Sequence, residues 1–129
     1  MILQGRKISP GNADAEALVT SMGISFYGGV DPGTGQVVEK GHALEGQFIG
    51  GKVLVFPTGK GSTVGSYTLY RLKKAGKAPA AIINTEAETI TAVGCIISDI
   101  PCVDHIPTGN IATGMRVRVC AENGTVEVP

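Results

Sequence analysis

The chain has 129 residues, of which 11 are basic and 11 acidic, so its charge gives no argument for binding nucleic acid or an acidic surface. No apolar run reaches the roughly 20 residues that span a bilayer, the first residues lack the order of a signal peptide, and the three cysteines suggest no disulfide framework. We therefore expect one cytoplasmic domain over residues 1–129, without nucleic-acid or membrane partners.

The first half of the chain predicts short strands separated by turns. Residues 1–8 predict a strand that ends at a Ser-Pro-Gly turn. Residues 13–19 are ambiguous, because their Ala, Glu and Leu favour a helix while the segment is short and closely flanked by glycine. A strand over 24–27 runs into a Gly-Gly pair, the turn 31–35 follows, and 36–39 is its return strand. Residues 48–56 contain another strand, strongest over 53–56.

The second half predicts the helices. The best one covers 62–75, where Val64, Leu69 and Leu72 form a broken apolar stripe, basic residues fill the last turn and Gly76 follows as a stop. Strands over 79–83 and 102–104 enclose a second helix over 88–97. Residues 115–119 and 125–128 form a hairpin around an Asn-Gly turn. Strands outnumber helices, which predicts a β-rich α/β fold with a small α/β centre.

The turn between strand 53–56 and the first helix is the most informative feature. A strand-to-helix turn brings free backbone N–H groups to the positive end of a helix, and Gly59 and Gly61 allow a ligand to approach closely. Lys60 adds a cation between them. Ser62 on its own is readily explained as a helix N-cap, which contributes about 1 kcal/mol relative to Ala. A cap does not need glycine on both sides of a lysine, however, and so we predict a small anionic ligand here.

The spacing argues against three familiar kinds of site. A Walker loop needs Gly-Lys followed directly by Ser or Thr, but Gly61 separates Lys60 from Ser62. The spacing G-x-G-x-x-x-G is one residue longer than the dinucleotide fingerprint, and the hydrolase pattern G-x-S-x-G is absent. The spacing of the cysteines does not suggest a metal site, and we expect Cys95 in the core. We expect both histidines, His42 and His105, to be surface or structural residues.

Several distinctive strings carry a family resemblance: ISFYGGVDPGTGQVV (24–38), HALEG (42–46), KVLVFPTGKGSTVGSY (52–67), APAAII (78–83) and IPCVDH (100–105). In these the chain resembles, nearly from end to end, the swivel-domain part of the aconitase X family. The resemblance implies a swivelling β/β/α domain as in the aconitase swivel domain. It also implies a hydro-lyase that is active only as a heterodimer with a large subunit. The large subunit would hold the iron–sulfur cluster or iron, and this chain would hold no metal or cofactor.

The resemblance further implies the site residues. Ser62 matches the family's catalytic serine, which accepts the proton next to the substrate carboxylate, and we expect the substrate to bind at Gly59, Lys60, Gly61 and Thr63. Split archaeal members dehydrate (R)-5-phosphomevalonate to trans-anhydromevalonate 5-phosphate in isoprenoid biosynthesis. Bacterial relatives dehydrate cis-3-hydroxy-L-proline. The sequence allows either substrate, and it also allows a non-catalytic swivel or carrier module.

A serine base needs help that the turn alone does not supply. A serine hydroxyl is far too weakly acidic to ionise at neutral pH, and each pK unit corresponds to about 1.36 kcal/mol. A helix N-terminus supplies up to about 2 kcal/mol, which is only one or two units. Lys60, the N–H groups of the turn and the partner's metal must contribute the remainder. Neither subunit is therefore expected to be active alone.

Overall fold

The computed structural model describes residues 1–60 and 64–129. Its strands are β1 (Ile2–Gln4), β2 (Arg6–Ser9), β3 (Asn12–Val19), β4 (Val53–Phe56), β5 (Ala81–Asn84), β6 (Cys102–Asp104), β7 (Arg116–Cys120) and β8 (Thr125–Glu127). Its helices are α1 (Phe26–Gly29), α2 (Gly65–Lys74) and α3 (Thr89–Ile97), with single 3-10 turns at Thr108–Asn110 and Ala121–Asn123. No helix in the described ranges has the length and apolar character needed to cross a membrane.

The strands form one mixed sheet in the order β1-β8-β7-β3-β4-β5-β6-β2. β1 pairs with β8 and β2 pairs with β6, and only Gly5 separates β1 from β2, so the sheet closes on itself. A side chain at position 5 would overlap the carbonyl oxygen of Asp104, which is why the closing residue is a glycine. The eight-stranded sheet confirms the predicted β-rich fold.

Two apolar clusters lie on opposite faces of the central strands. Along β4, Val53 and Val55 belong to one cluster, whereas Leu54 and Phe56 belong to the other, as the period of two in a strand requires. The first cluster fills the interior of the closed sheet. The second packs the sheet against α2 and α3 and includes Leu69 of α2. The layers are therefore sheet, sheet and helix, which confirms the α/β fold and its β/β/α arrangement.

The ambiguous residues 13–19 belong to a strand. β3 lies between β7 and β4, pairing antiparallel with the former and parallel with the latter. Its alanines at 13, 15 and 17 contact the interior cluster. On the other face, Asp14 bonds Arg116 at 2.7 Å and Glu16 pairs with Lys52 at 3.6 Å. Pairing on both edges outweighs the helix-favouring composition of this segment.

The strands predicted over 24–27 and 36–39 are wrong. Among the described residues only isolated bridges form there, Ile24 with Gly59, Val30 with Val37 and Gln36 with Phe48. The segment 26–29 is one irregular helical turn, since Gly28 has φ 81. The predicted turn over 31–35 is confirmed, because the Asp31 carbonyl accepts the N–H of residue 35 at 2.8 Å.

The remaining elements lie close to their predicted positions. The strand over 53–56, the helix over 88–97, the strand over 102–104 and the C-terminal hairpin are confirmed. The helix predicted over 62–75 is confirmed for Gly65–Lys74, while residues 62 and 63 lie outside the described ranges. Gly76 ends it at φ 71, its N–H donating to Lys73 O at 3.1 Å and the next N–H to Leu72 O at 2.9 Å, which is a Schellman motif.

Candidate active site at the carboxyl edge of the parallel strands

The carboxyl ends of β3, β4, β5 and β6 lie at one edge of the sheet, because these four neighbours run parallel. Ligands of α/β sheets commonly bind outside the carboxyl ends of the strands. The segments that follow three of these strands meet here. The segment after β3 reaches Ile24, which bridges Gly59 after β4, and the segment after β5 brings Glu88 into reach of Gly59. The predicted turn thus begins where a ligand site is expected.

Backbone hydrogen bonds hold the start of this turn from two sides. The Lys60 N–H donates to the Ile24 carbonyl at 2.9 Å. On the other side, the Pro57 carbonyl accepts the N–H groups of Thr85 and Glu86 at 3.0 and 3.1 Å. The turn is therefore tied both to the segment after β3 and to the segment that leads into α3.

Glu88 is the N-cap residue of α3, and its side chain caps the helix. Its carboxylate accepts the Ile90 N–H at 2.9 Å, the Thr91 N–H at 2.7 Å and the Thr91 hydroxyl at 2.7 Å. Glu is not a preferred N-cap residue, but here its negative charge lies at the positive end of the helix, where it is stabilising. The cap consumes donors of α3 that an external anion would otherwise use.

Lys60 makes an ion pair that a ligand is able to replace. Its Nζ lies 3.5 Å from Glu39 Oε2, and the two side chains are 51% and 30% exposed. An ion pair with this much solvent contributes between 0 and about 1 kcal/mol. An anionic ligand that approaches the turn can therefore compete with Glu39 for the ammonium group at little cost.

Three of the predicted site residues, Gly61, Ser62 and Thr63, lie outside the described ranges. The structure places Gly59 and Lys60 directly before them and the start of α2 directly after them. The described first turn of α2 contains no acidic side chain. The roles predicted for Gly61, Ser62 and Thr63 stay predictions.

A buried carboxylate fixes the segment that carries Glu88. Asp104 has no exposed side-chain surface; Arg6 donates to its two oxygens at 3.0 and 2.8 Å, and the Ala87 N–H donates at 3.0 Å. Burial alone would raise the pKa of Asp104, but the hydrogen bonds from Arg6 and Ala87 and the charge of Arg6 outweigh it and hold that pKa below its usual value. The carboxylate therefore stays ionised and anchors the loop after β5.

The two histidines differ in their surroundings. His42 is buried; its Nδ1 accepts the Leu44 N–H at 3.0 Å, so the proton lies on Nε2, which is 3.0 Å from the Gly23 carbonyl. This confirms a structural role. His105 is half-exposed at φ 59, with its Nε2 at 3.9 Å from Asp104.

The cysteines are free thiols, and Cys95 and Cys102 are fully buried, which confirms Cys95 as a core residue. Its hydrogen bond with Cys102 and its burial raise the pKa of the Cys95 thiol, so Cys95 behaves as a small apolar residue. Within residues 1–60 and 64–129, no three His, Cys, Asp or Glu side chains are arranged to hold a metal ion.

A group of exposed side chains flanks the turn. All three tyrosines of the chain are at least 40% exposed. An open groove of about 250 Å³ lies between α2 and the segment after α1, and Tyr27, Val38 and Arg71 line it. We call this surface the tyrosine face; it comprises Tyr27, Val38, Val64, Tyr67, Tyr70 and Arg71. Aromatic residues and arginine are enriched at protein interfaces.

A larger open groove, of about 550 Å³, lies elsewhere, along β3 and β7. Its charged residues already have partners, because Asp14 bonds Arg116 and lies 3.7 Å from Arg118. The hydrogen bond from Arg116 lowers the pKa of Asp14. The groove is also remote in sequence from the glycine-rich turn, so we locate the candidate site at the carboxyl edge.

Sequence reasoning did not identify Glu39, Glu88 or Thr91 as parts of the site. The sequence predicts Glu88 only as the first residue of a helix and Glu39 only as the end of a strand. Glu39 is 21 residues from Lys60 and Glu88 is 29 residues from Gly59 in sequence, and no local pattern signals such contacts. Parallel pairing of β4 and β5 is what brings Glu88 to Gly59.

Comparison with known proteins supplies a family. The family model of the aconitase X swivel domain matches residues 2–128. The phosphomevalonate dehydratase small subunit of Thermococcus kodakarensis is 57% identical over 99% of this chain and 96% of its own length. That of Methanocella arvoryzae is 54% identical over 99% of both chains. The crystal structure of Thermococcus kodakaraensis aconitase X in its holo form has a TM-score of 0.98 and 56% identity, covering 100% of this chain and 98% of that one.

These matches extend over nearly the whole chain and agree in sequence and in fold. The chain belongs to the aconitase X swivel-domain family.

Proposed function

We propose that this chain is the small subunit of a dehydratase that converts (R)-5-phosphomevalonate to trans-anhydromevalonate 5-phosphate in the mevalonate pathway of isoprenoid synthesis. The observation that carries the choice of reaction is the identity of 51–57% with relatives that are named phosphomevalonate dehydratase small subunit. The position of Gly59 and Lys60 at the carboxyl edge of the parallel strands supports the choice of site.

In the proposed reaction, Ser62 accepts the proton next to the substrate carboxylate. Lys60 lies two residues before it in sequence and exchanges its weak contact with Glu39 for the substrate anion. The positive charge favours the ionised Ser62 that takes the proton, and it favours the substrate carboxylate, onto which negative charge moves as the proton leaves. The backbone bond from Lys60 to Ile24 holds the approach to the turn fixed while this occurs.

The proposal includes a large subunit, because the relatives of this chain are named as small subunits. We expect the iron–sulfur cluster on that partner, where it would act as a Lewis acid toward the leaving hydroxyl. The complex is a heterodimer in this proposal and resides in the cytoplasm.

We propose the tyrosine face as the docking surface for the large subunit. It begins at Val64, directly before α2, and continues along α2 to Tyr67 and Arg71. A partner that completes a site at the turn must contact the surface around it. Exposed tyrosines with an arginine are the residues from which interface hot spots are commonly built.

The test is reconstitution of the complex from separately purified subunits. Wild-type complex should dehydrate 5-phosphomevalonate, each subunit alone should be inactive, and Ser62→Ala should lower kcat by at least about 10³-fold, a loss typical of removing a base that does most of its work in the transition state. The thermal unfolding of the Ser62→Ala chain should stay within about 1 kcal/mol of wild type, the size of a cap effect.

Two results would contradict the proposal. Turnover of cis-3-hydroxy-L-proline but not of 5-phosphomevalonate would assign the other substrate of the family. Full activity of the Ser62→Ala complex would remove Ser62 as the base.

A further inference from the structure

Gly59 has no room for a side chain because the start of α3 lies against it. A Cβ at this position would overlap Thr91 Oγ1 and would lie 2.6 Å from Glu88 Oε1. Real Cβ atoms essentially never approach other heavy atoms so closely. The Glu88 and Thr91 side chains therefore form a wall against which the backbone of the turn rests.

Hydrogen bonds make this wall rigid. Glu88 Oε1 accepts both the backbone N–H and the hydroxyl of Thr91 at 2.7 Å, while Oε2 accepts the Ile90 N–H at 2.9 Å. Thr91 is only 1% exposed. Neither oxygen of the carboxylate rotates without breaking a charge-assisted hydrogen bond, which is stronger than a neutral one.

The same network of hydrogen bonds holds both this wall and the start of the turn in place. The segment before Glu88 is bonded to the Pro57 carbonyl at the start of the turn, and the Ala87 N–H is bonded to the buried Asp104. On the opposite side, the Ile24 backbone bridges Gly59. Gly59 is thus held between a backbone bridge and the capped end of α3, three residues before Ser62.

We infer that Glu88 and Thr91 are positioning residues for the dehydration: the capped N-terminus of α3 sets the place of the Gly59 backbone, three residues before Ser62 in the sequence. This inference rests on the proposed function, since the place of the turn matters for turnover only if Ser62 reacts. A displacement of about 1 Å in a catalytic group can lower the rate about 10²-fold. Shifts of a few tenths of an ångström should therefore lower kcat measurably.

Thr91→Val tests the inference. The methyl group that replaces the hydroxyl is larger and cannot donate to Glu88, so it should displace Gly59 while the side chain keeps its branched shape. In the reconstituted complex we expect kcat to fall about 10-fold, with KM within about 3-fold of wild type, because the group that moves acts in the transition state. Thr91→Ser keeps the hydroxyl and should restore kcat to within about 3-fold of wild type.

A second readout does not depend on turnover. In ¹H–¹⁵N spectra of the full chain, Thr91→Val should shift the amide resonances of Gly59 and Lys60, and Thr91→Ser should leave them near their wild-type positions. Ser9→Ala is the matched control: it removes a buried hydrogen bond of 3.3 Å to the Cys95 carbonyl on the body of α3, away from the cap. It should lower stability and leave both the two amides and kcat unchanged.

The outcomes separate the two proposals. A wild-type complex that dehydrates nothing refutes the proposed function and removes the catalytic role of Glu88 and Thr91 with it. If the wild-type complex is active, unmoved amides or an unchanged kcat in Thr91→Val overturn the positioning role. So does a loss of kcat that Ser9→Ala reproduces or that Thr91→Ser fails to restore, because the effect would then follow stability and not the cap.

Discussion

Gly59→Ala measures how closely the turn packs against α3. The added methyl group overlaps Thr91 Oγ1 and lies 2.6 Å from Glu88, and forcing a methyl group into a packed site costs about 1–3 kcal/mol. The φ of Gly59 lies outside the left-handed range that strains other residues. Alanine therefore also restricts the unfolded chain, which stabilises by about 0.4–1 kcal/mol. The net expectation is a loss of about 1–2 kcal/mol.

Gly109→Ala is the matched control, because a Cβ there meets nothing within 4 Å and its φ is likewise unstrained. We expect it to be neutral or to gain up to about 1 kcal/mol. The assay is urea unfolding of the purified chain at 25 °C, in which a change of midpoint at constant slope reports stability. For 129 residues, 1 kcal/mol corresponds to about 3–5 °C in Tm, which gives an independent check.

The double variant Gly59→Ala/Thr91→Ala isolates the contact. If the overlap with Thr91 causes the loss, removing that side chain should relieve part of it and give a coupling of at least about 0.5 kcal/mol. Equal stability of Gly59→Ala and Gly109→Ala would refute the packing of Gly59 against α3. It would remove the basis of the positioning role at the same time.

Three further expectations concern separate parts of the molecule. Asp104→Asn should lower the free energy of unfolding by on the order of 1–3 kcal/mol near neutral pH. Because the folded pKa of Asp104 is depressed, its contribution to stability is present above the unfolded pKa of about 3.9 and is lost as pH falls through the folded pKa. In urea unfolding from pH 7 to 3, the difference in stability from wild type should therefore close only below about pH 4. Lys60→Gln should raise KM about 10-fold or more. It should change the free energy of unfolding by no more than about 0.5 kcal/mol, because the ion pair of Lys60 with Glu39 is exposed. An unchanged KM in steady-state kinetics would contradict the role of Lys60 in binding the substrate. Tyr67→Glu should abolish association with the large subunit in gel filtration. Ile97→Glu, a change at an exposed residue of α3, should leave that association intact. The reverse result would move the docking surface to α3.

Local sequence is sufficient where a single element carries its own signals. The helix ending at Gly76 and the strand Val53–Phe56 are predictable because a glycine stop and an unbroken run of β-branched and apolar residues need no distant partner. The segment 13–19 is ambiguous in sequence, because its alanines fit a helix or a strand equally until β4 and β7 pair with it. The error over 24–27 has the same origin: among the described residues, Ile24 forms a single β-bridge, with Gly59, and no continuous ladder follows it.

The site is predictable in part for a similar reason. Gly59 and Lys60 are adjacent in sequence, and their glycine-rich context by itself indicates a ligand-binding turn. What surrounds the turn depends on pairings across 20 to 30 residues. Glu88 reaches Gly59 only because β4 and β5 pair in parallel, and Glu39 reaches Lys60 only because the loop after α1 folds back over the edge.

The two long helices start near the same edge of the sheet, but they offer different fields to an anion. At α3 the first N–H groups and the positive end are already matched by the Glu88 carboxylate. At α2 the described first turn contains no acidic residue, and the charged group before it is Lys60. A substrate carboxylate should therefore be drawn to α2 and kept from α3, because like charges repel it there. In the proposed mechanism the N-terminal end of α2 attracts the substrate anion, while the N-terminus of α3, matched by its own Glu88 cap, holds Gly59 in place.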